Sequence, residues 1–431
     1  MPANNQIPES EIAAWIGLDW ADQKHIVCLQ ASDSTQLETQ SIAQNPQCLN
    51  QWAAQLRQRF GGRKVIIALE QTRGAVVYAL MCYDFILLCP IPPASLAAYR
   101  KALYPSGCKD DPKDAQLLLE LLRKHSSHFT LWRADGPETR RLQLLVERRR
   151  GFVAECTRHS NQLTDLLKSY FPQVLDWAGN LNTRQACDFL QRWPTLQAVQ
   201  KAKPATLRRF YQQHGCRHPQ CINERLGQIR QAQPLTTDLA VIESNRLTVQ
   251  VQAGILRACL EAVERLDREI EVHFSQHPDG AIFDSFPGAG QVLAPRLLVA
   301  FGTDRSRFSS AQQVQQMSGI APVTQSSGKS HWVHWRWACP KFMRQTFHEF
   351  AGHSLSRCCW AQAVYQQQRK RGKSHHAAVR VVAFKWIRIL FRCWQEQTLY
   401  DEQIYLRTLR QRNPELFAQL PGSLSPAVEI P

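Results

Sequence analysis

The chain has 431 residues, a formal net charge of +16 and a pI near 9.4. This length predicts two to three domains, and the excess of Lys and Arg favours a polyanionic partner, nucleic acid before a membrane surface. No run reaches the roughly 18 apolar residues of a membrane span, and fourteen Cys without a basic and apolar leader indicate a cytoplasmic protein with reduced thiols.

Charge is unevenly distributed along the sequence. Residues 1–120 carry ten Lys and Arg against twelve Asp and Glu, whereas residues 321–400 carry thirteen against two. Six of the twelve Trp also fall within 321–400, a mixture typical of surfaces where bases stack beside phosphate-binding cations. We therefore expect an acidic module near the N-terminus and a basic, nucleic-acid-binding module near the C-terminus.

The first module is predicted to be an α/β domain. Hydrophobic runs predict three strands in a meander, after which helix and strand alternate. The predicted strands are 13–19, 25–30, 36–43, 64–70 and 85–90, and the predicted helices are 47–60, 74–82, 94–103 and 111–124. This order resembles the arrangement of ribonuclease H folds.

Four acidic residues occupy informative places in this order. Asp19 and Glu70 each end a predicted strand, while Asp111 and Asp114 lie three residues apart on one face of a helix start. Carboxylates gathered at one sheet edge repel each other unless cations neutralise them, and Mg²⁺ prefers oxygen ligands and bridges phosphate oxygens. The pattern predicts a magnesium-dependent phosphoryl-transfer site.

The middle of the chain is predicted to be helical. Residues 137–170 and 240–276 are typical of an antiparallel coiled coil or an oligomerisation stalk, and 171–239 of a small, irregular helical insert. The insert contains four residues of the types that bind zinc, but their spacing matches no standard zinc finger, so we favour chance clustering. These four residues are His214, Cys216, His218 and Cys221.

Two features open the basic module. Gly288 and Gly290, in Pro-Gly-Ala-Gly before a helix over 291–300, are typical of a helix-hairpin-helix contact with a DNA phosphate, or simply of a tight turn. Residues 319–330 predict a polar, flexible loop containing Ser326 and Ser327. Phosphate-binding cations and a nearby metal can activate such a serine for attack on a phosphodiester, although a surface loop is the common alternative.

The residues after this loop predict nucleic-acid contacts. Trp332, Trp335 and Trp337 are candidates for stacking on bases or sugars, while the alternation of Trp335 and Trp337 also suits one buried strand face. The predicted phosphate contacts are Lys329, Arg336, Lys341, Arg344 and Lys373.

In chain order, these motifs resemble the transposases of insertion-sequence family one-ten over nearly the whole chain. The four acids are followed far downstream by Pro322-x4-Ser327-Gly328. The other matching motifs are Lys109-x-Asp111-x-x-Asp114-Ala115, the Pro-Gly-x-Gly entry, Arg307-Phe308, Gly319-x-x-Pro322 and Gly372-Lys373-Ser374-His375-His376-Ala377-Ala378-Val379.

The resemblance implies a domain organisation. A RuvC-like domain of ribonuclease H fold over 1–135 would bind Mg²⁺ through Asp19, Glu70, Asp111 and Asp114. A coiled-coil stalk over 136–277, with the insert at 171–239, would lead to a mainly helical C-terminal transposase domain over 278–400 and a tail over 401–431. Motif spacing selects Asp111 over Asp110, and the position before Gly328 selects Ser327 over Ser326.

The resemblance also implies an activity. Family members are thought to cut and rejoin DNA through a covalent phosphoserine, guided by a structured bridge RNA that pairs with target and donor DNA. They assemble as dimers and tetramers in which the acids of one protomer meet the serine of another, and they would act at the prokaryotic nucleoid.

Other functions remain open at this point. A junction resolvase or hydrolytic nuclease would use the four acids and water, and a nucleic-acid-binding scaffold would use the acids structurally. A sugar kinase or ATPase of ribonuclease H fold is disfavoured, because no glycine-rich phosphate loop follows Asp19.

Overall fold

The computed structural model describes residues 8–104, 110–418 and 420. The motif residue Lys109 and the predicted tail beyond 420 lie outside these residues. The chain forms two compact units that divide between Asp135 and Gly136.

The N-terminal unit is a five-stranded sheet with helices on both faces. The strand order is 3-2-1-4-5, with the first three strands antiparallel and the fourth and fifth parallel to the first. The elements are β1 (Ile12–Asp19), β2 (Lys24–Ala31), β3 (Glu38–Ala43), α1 (Pro46–Arg59), β4 (Lys64–Leu69), α2 (Ala75–Leu80), β5 (Ile86–Pro90), α3 (Pro93–Leu103) and α4 (Asp111–Lys124). The predicted α/β domain is confirmed.

Alternation along the strands separates two hydrophobic layers. Ile16 and Leu18 of β1 pack with α1 and α2, whereas Trp15 of β1 and Ala68 of β4 pack with α3 and α4. Because successive side chains of a strand point to opposite faces, positions 17 and 19 share the α4 side of the sheet with Trp15. The sheet therefore presents the end of β1 to the helix that begins at Asp111.

Two long helices and a helical insert follow. In the first long helix Arg149 precedes Ser169, whereas in the second their partners occur in the opposite order. Arg149 pairs with Asp267, and the side chain of Asn245 donates to the hydroxyl oxygen of Ser169 at 3.2 Å. The two helices are therefore antiparallel. The elements are α5 (Pro137–Tyr170), α6 (Val174–Ala178), α7 (Arg184–Arg192), α8 (Leu196–Gln200), α9 (Pro204–Gln213), α10 (Pro219–Gln231) and α11 (Leu239–Ser275).

The rest of the C-terminal unit is mainly helical, as predicted, around a core rich in aromatic residues. Trp360, Trp386 and Trp394 are fully buried there, so half of the Trp that suggested base stacking are core residues. The elements are α12 (Gly280–Asp284), α13 (Gly290–Phe301), α14 (Ala311–Met317), β6 (Val323–Ser327), β7 (Ser330–His334), α15 (Lys341–Ser354), α16 (Cys359–Lys370), α17 (His375–Glu396), α18 (Glu402–Arg412) and α19 (Pro414–Ala418). Within the described residues, no helix combines the length and apolarity that crossing a membrane requires.

The prediction of a flexible loop over 319–330 is wrong for its second half. Residues 323–327 pair with 330–334 as an antiparallel hairpin, with Ser327 opposite Ser330. The connection is the two-residue turn Gly328-Lys329, in which Gly328 has φ of +57°. Glycine with positive φ at the first turn position is what a type II′ hairpin turn requires. The sequence Ser327-Gly328-Lys329-Ser330, with glycine at the first turn position, was the local signal from which this hairpin turn could be predicted.

Candidate active site

The sheet register brings Asp19 and Glu70 to the same level. β1 and β4 are parallel, and Gly17 pairs with Ala68. Two residues further along each strand are Asp19, which ends β1, and Glu70, which follows β4. Both positions lie on the α4 side of the sheet by strand alternation. Adjacent parallel strands therefore direct two carboxylates to one edge and one face.

The helix carrying the other two acids crosses β1 at very close range. A Cβ on Gly17 would lie 1.9 Å from the carbonyl oxygen of Ala115 and 2.6 Å from the amide nitrogen of Leu119. Only glycine lets the α4 backbone come so close, because real Cβ atoms are excluded from such distances. Since Ala115 follows Asp114 directly, this contact fixes the first turn of α4 beside the end of β1.

The two acids of α4 have different surroundings. Asp114 is 2% exposed, and its Oδ1 accepts a hydrogen bond from Nε of Arg100 in α3 at 2.6 Å. Asp111 is exposed at the first helical position. Asp110, the residue that the motif spacing sets aside, precedes the helix as its N-cap and lies 3.9 Å from the ammonium of Lys113.

This donor set has the right chemistry for a divalent metal ion, but the side chains are not gathered as ligands. Four carboxylates at one edge suit a hard cation such as Mg²⁺, and Arg100 already supplies positive charge to the buried one. Within 8–104, 110–418 and 420, no group of three or more His, Cys, Asp or Glu is arranged to hold a metal. Binding of a metal by Oδ1 of Asp114 would displace Nε of Arg100 from that oxygen.

Ser327 lies at the tip of the β6–β7 hairpin. It is exposed, like its neighbour Ser326, and it directly precedes the turn. Its cross-strand partner is Ser330, whereas the partner of Ser326 is His331, so the two hydroxyls belong to opposite faces of the hairpin. In the described part of the chain neither hydroxyl makes a hydrogen bond. The serine is thus accessible to a large substrate but has no activating base in contact.

The base of this hairpin is held by a packed contact. Gly319, with φ of +71°, would place a Cβ 2.4 Å from Sγ of Cys339. Arg344 donates through Nε to this sulfur at 3.1 Å and through Nη2 to the carbonyl oxygen of Trp337 at 3.2 Å. Arg344, predicted to contact phosphate, therefore also positions the segments that enter and leave the hairpin.

The predicted nucleic-acid residues divide between exposed and half-buried positions. Trp332 is 48% and Trp337 is 78% exposed, so a buried strand face formed by Trp335 and Trp337 is excluded. Trp335 is half-buried, and two guanidinium groups, those of Arg344 and Arg380, lie over its ring. Arg336 is half-buried, whereas Lys329, Lys341 and Lys373 are exposed.

Backbone geometry accounts for both glycines of the Pro-Gly-Ala-Gly turn. Gly288 has φ of +84°, and a Cβ there would lie 2.9 Å from the carbonyl oxygen of His353 in α15. Gly290 has φ of +53° with open space around it. Their contact with nucleic acid stays a prediction.

The four possible zinc ligands all lie within the described residues, and no three of them are arranged to hold a metal ion. His214 has its two ring nitrogens at 3.0 Å from the carbonyl oxygen of Phe210 and 3.0 Å from Oδ2 of Asp188. Both nitrogens therefore have partners in the protein.

Three residues of functional interest were not predicted from the sequence. Arg100 pairs with a predicted metal ligand, Gly17 admits α4, and Arg380 joins Trp335 from a distant helix. Gly17, two residues before Asp19 in a buried strand, offered a local signal of close backbone approach. The other two depend on contacts across the fold and have no local signature.

Comparison with known proteins gives two family matches. A model described as a transposase, DEDD_Tnp_IS110, matches residues 16–172, and a model described as the Transposase IS116/IS110/IS902 family matches residues 280–366. The first match spans the four acids, and the second spans the serine hairpin, Trp335 and Arg344.

Relatives that match over most of the chain agree with these family matches. The mini-circle putative transposase for IS117 of Streptomyces coelicolor is 27% identical over 409 residues, which cover 92% of this chain and 97% of that protein. The uncharacterized 43.6 kDa protein of insertion element IS110 from the same organism is 27% identical over 308 residues, 70% of this chain and 74% of that protein. The uncharacterized 42 kDa protein of insertion element IS900 from Mycobacterium paratuberculosis is 24% identical over 408 residues, 90% and 96% of the two chains.

Proposed function

Because the chain belongs to the IS116/IS110/IS902 family of transposases, which are DNA-processing enzymes, we propose that it is an RNA-guided DNA recombinase that cuts and rejoins strands through a covalent phosphoserine. The observation that carries this proposal is the coexistence of two features in one chain. Asp19, Glu70 and the first turn of α4 share one edge of a sheet, and Ser327 is exposed at a hairpin tip in the basic module.

The N-terminal unit is proposed to be RuvC-like. Support comes from its strand order 3-2-1-4-5 with an antiparallel second strand, and from acids at the ends of β1, β4 and the start of α4. Asp19, Glu70, Asp111 and Asp114 would hold Mg²⁺, which polarises a scissile phosphate when bound. Asp114 is buried and pairs with Arg100, and a divalent cation would supply the positive charge that Arg100 now provides.

Ser327 is the proposed nucleophile. Its Oγ attacks the phosphorus, its proton leaves to solvent, and the bond from phosphorus to the departing DNA oxygen breaks, releasing a DNA hydroxyl. A hydroxyl of the second DNA strand then attacks the phosphoserine, forms the new phosphodiester and returns Ser327. The covalent step conserves the energy of the phosphodiester, so rejoining needs no ATP.

The proposed partners are target DNA, donor DNA, a structured bridge RNA and further copies of the chain. The net excess of positive charge within 321–400 supports nucleic acid. The absence of a base in contact with Ser327 among the described residues supports a composite site, in which the acids of another protomer complete the serine in a dimer or tetramer. Such a protein would act at the nucleoid.

A trapping experiment tests this proposal. The purified protein with its RNA, Mg²⁺ and labelled target DNA should yield a protease-sensitive protein–DNA adduct. Ser326→Ala, whose hydroxyl belongs to the other face of the hairpin, is the matched control and should retain the adduct. An adduct that persists in Ser327→Ala would refute the serine assignment, and a single element-derived RNA among co-purified species would support guidance.

One observation favours a second candidate, a hydrolytic nuclease or junction resolvase. The acids share a single sheet edge within one unit, and hydrolysis needs only these groups, a metal ion and water. This enzyme would release free DNA ends in amounts unaffected by Ser327→Ala, whereas the recombinase would lose cleavage and rejoining together.

A further inference from the structure

The side chain of Trp335 brings together two arginines that are distant in sequence. Cζ of Arg344, from α15, lies 5.1 Å from the ring centroid of Trp335, and Cζ of Arg380, from α17, lies 3.9 Å from it. Arg336 is the next residue in the chain. All four side chains are half-buried, so the charges are partly removed from water while remaining accessible.

These arginines lack carboxylate partners within the described part of the chain. Two other arginines with low exposure in the same unit are paired: Arg296 with Glu349 at 2.5 Å, and Arg305 with Asp279 at 2.7 Å. No ion pair compensates Arg336, Arg344 or Arg380. Burial and the neighbouring charge of Arg344 lower the pKa of Arg380, which reflects this uncompensated environment.

Two donors beside the arginines are also unsatisfied. Nε1 of Trp335 and Nε of Arg336 are buried without a hydrogen-bond partner. Both groups can only donate, so each requires an acceptor that the described residues do not supply. Buried donors of this kind are ordinarily satisfied in native proteins. An oxyanion has several oxygen atoms that can accept such hydrogen bonds.

We propose that Trp335, Arg336 and Arg380 bind one phosphodiester group of a nucleic acid strand, with the Trp335 ring holding the guanidinium of Arg380 in place. This inference rests on the proposed function for its partner and assigns Trp335 a role other than base stacking. Guanidinium and indole N–H groups can donate hydrogen bonds but cannot accept them, so together they suit an oxyanion. Trp337 is largely exposed and offers a ring on which a neighbouring base can stack.

The bound phosphate would flank the reacting one. Trp335 lies five residues beyond Ser330, the cross-strand partner of Ser327. An extended chain of that length spans at most about 17 Å, and one duplex strand rises about 3.4 Å per nucleotide. The site is therefore expected about five nucleotides or fewer from the phosphate at Ser327. Its role is to fix the position of the strand relative to the serine.

The test is the salt dependence of binding to a short labelled DNA duplex and to a single-stranded RNA of the same sequence. Each lost phosphate contact should lower the slope of log Kd against log salt by about 0.9 for duplex DNA and about 0.7 for a single strand. Arg380→Gln and Arg336→Gln should each show this loss, while Arg380→Lys should retain most of the slope. Arg192→Gln is the matched control, because Arg192 also lies over a Trp ring, that of Trp193 at 4.8 Å, with no second arginine there.

A slope lowered on the duplex assigns the phosphate to DNA, and a slope lowered only on the single strand assigns it to RNA; either result supports the site. Wild-type slopes for both Arg336→Gln and Arg380→Gln, or an equal loss for Arg192→Gln, overturn it. Thermal melting of each variant shows whether it folds. If Arg380→Gln does not fold, Arg336→Gln alone tests the site. If the Ser327 adduct forms while the salt slopes of the variants equal that of the wild type, the phosphate site is refuted and the proposed function stands. If the slopes are lowered but no adduct forms, the phosphate site stands and the proposed recombinase mechanism is refuted.

Discussion

The carbonyl oxygen of Ala115 occupies the place where any side chain on Gly17 would begin, with only 1.9 Å between that oxygen and an ideal Cβ. This contact joins β1, which ends in Asp19, to the helix turn that carries Asp114. One glycine therefore determines how closely two of the proposed metal ligands approach.

Gly17→Ala should push α4 away from the sheet. We expect the free energy of unfolding to fall by about 1–3 kcal/mol, because overpacking against backbone atoms cannot be relieved by a side-chain rotation. Denaturant unfolding measures this change. Gly227→Ala, in α10 with open space around it, is the control and should leave stability unchanged or raise it. Equal effects of the two substitutions would contradict the role of Gly17.

Arg100→Gln should destabilise the protein and increase its response to metal. Removing the guanidinium leaves the carboxylate of Asp114 buried without its counter-charge, which costs up to about 3–5 kcal/mol. A divalent cation can restore that charge, so added Mg²⁺ should raise the melting temperature of the variant more than that of the wild type. Lys113→Gln, which breaks the exposed contact with Asp110, should show neither effect. A melting temperature of Arg100→Gln that does not respond to Mg²⁺ would argue against a metal at Asp114.

Gly328→Ala should impair activity while leaving the core intact. The turn needs positive φ at this position, so alanine disfavours the hairpin by about 1 kcal/mol and displaces Ser327. Formation of the Ser327 adduct should fall severalfold with little change in melting temperature. Gly61→Ala is the control, because Gly61 has a similar φ of +59° and open space but precedes β4, at the opposite end of that strand from Glu70. Comparable adduct yields from the two variants would show that the turn geometry is unimportant.

His348 should make stability depend on pH. Its pKa is lowered from 6.5 to about 4, first by burial and then by the positive charge of His376, Arg380 and His375, while Glu349 opposes the shift. The unfolded chain therefore binds a proton at higher pH than the folded one. The contribution of His348 to the free energy of unfolding is fully present above about pH 6.5 and is lost as the pH falls towards 4.

Thermal melting across this range measures the effect. His348→Gln should flatten the part of the profile between these two values, because glutamine does not titrate. The exposed His353→Gln, from the same helix, should not flatten it. A profile of His348→Gln that overlays the wild type would assign the acid sensitivity to other groups.

Local patterns in the sequence determined much of the architecture. The alternating hydrophobic runs fixed the strands and helices of the N-terminal unit, since burial of one face imposes its own period. The ends of those strands placed Asp19 and Glu70 at one sheet edge. Helix periodicity predicted one face for Asp111 and Asp114, but it did not show that Asp111 is exposed and Asp114 buried. Ser327 was selected as the candidate nucleophile from its motif, but the hairpin around it was not predicted, because exposed polar residues give no hydrophobic alternation.

The tertiary structure decided what no local pattern encodes. Arg100 meets Asp114, and Arg380 meets Trp335, across different elements, and such contacts depend on how whole helices pack. Packing also separated the buried Trp360, Trp386 and Trp394 from the exposed Trp332 and Trp337, although composition treats all of them alike. Burial and counter-charge are properties of the assembled fold, and they distinguish a core aromatic residue from a binding surface.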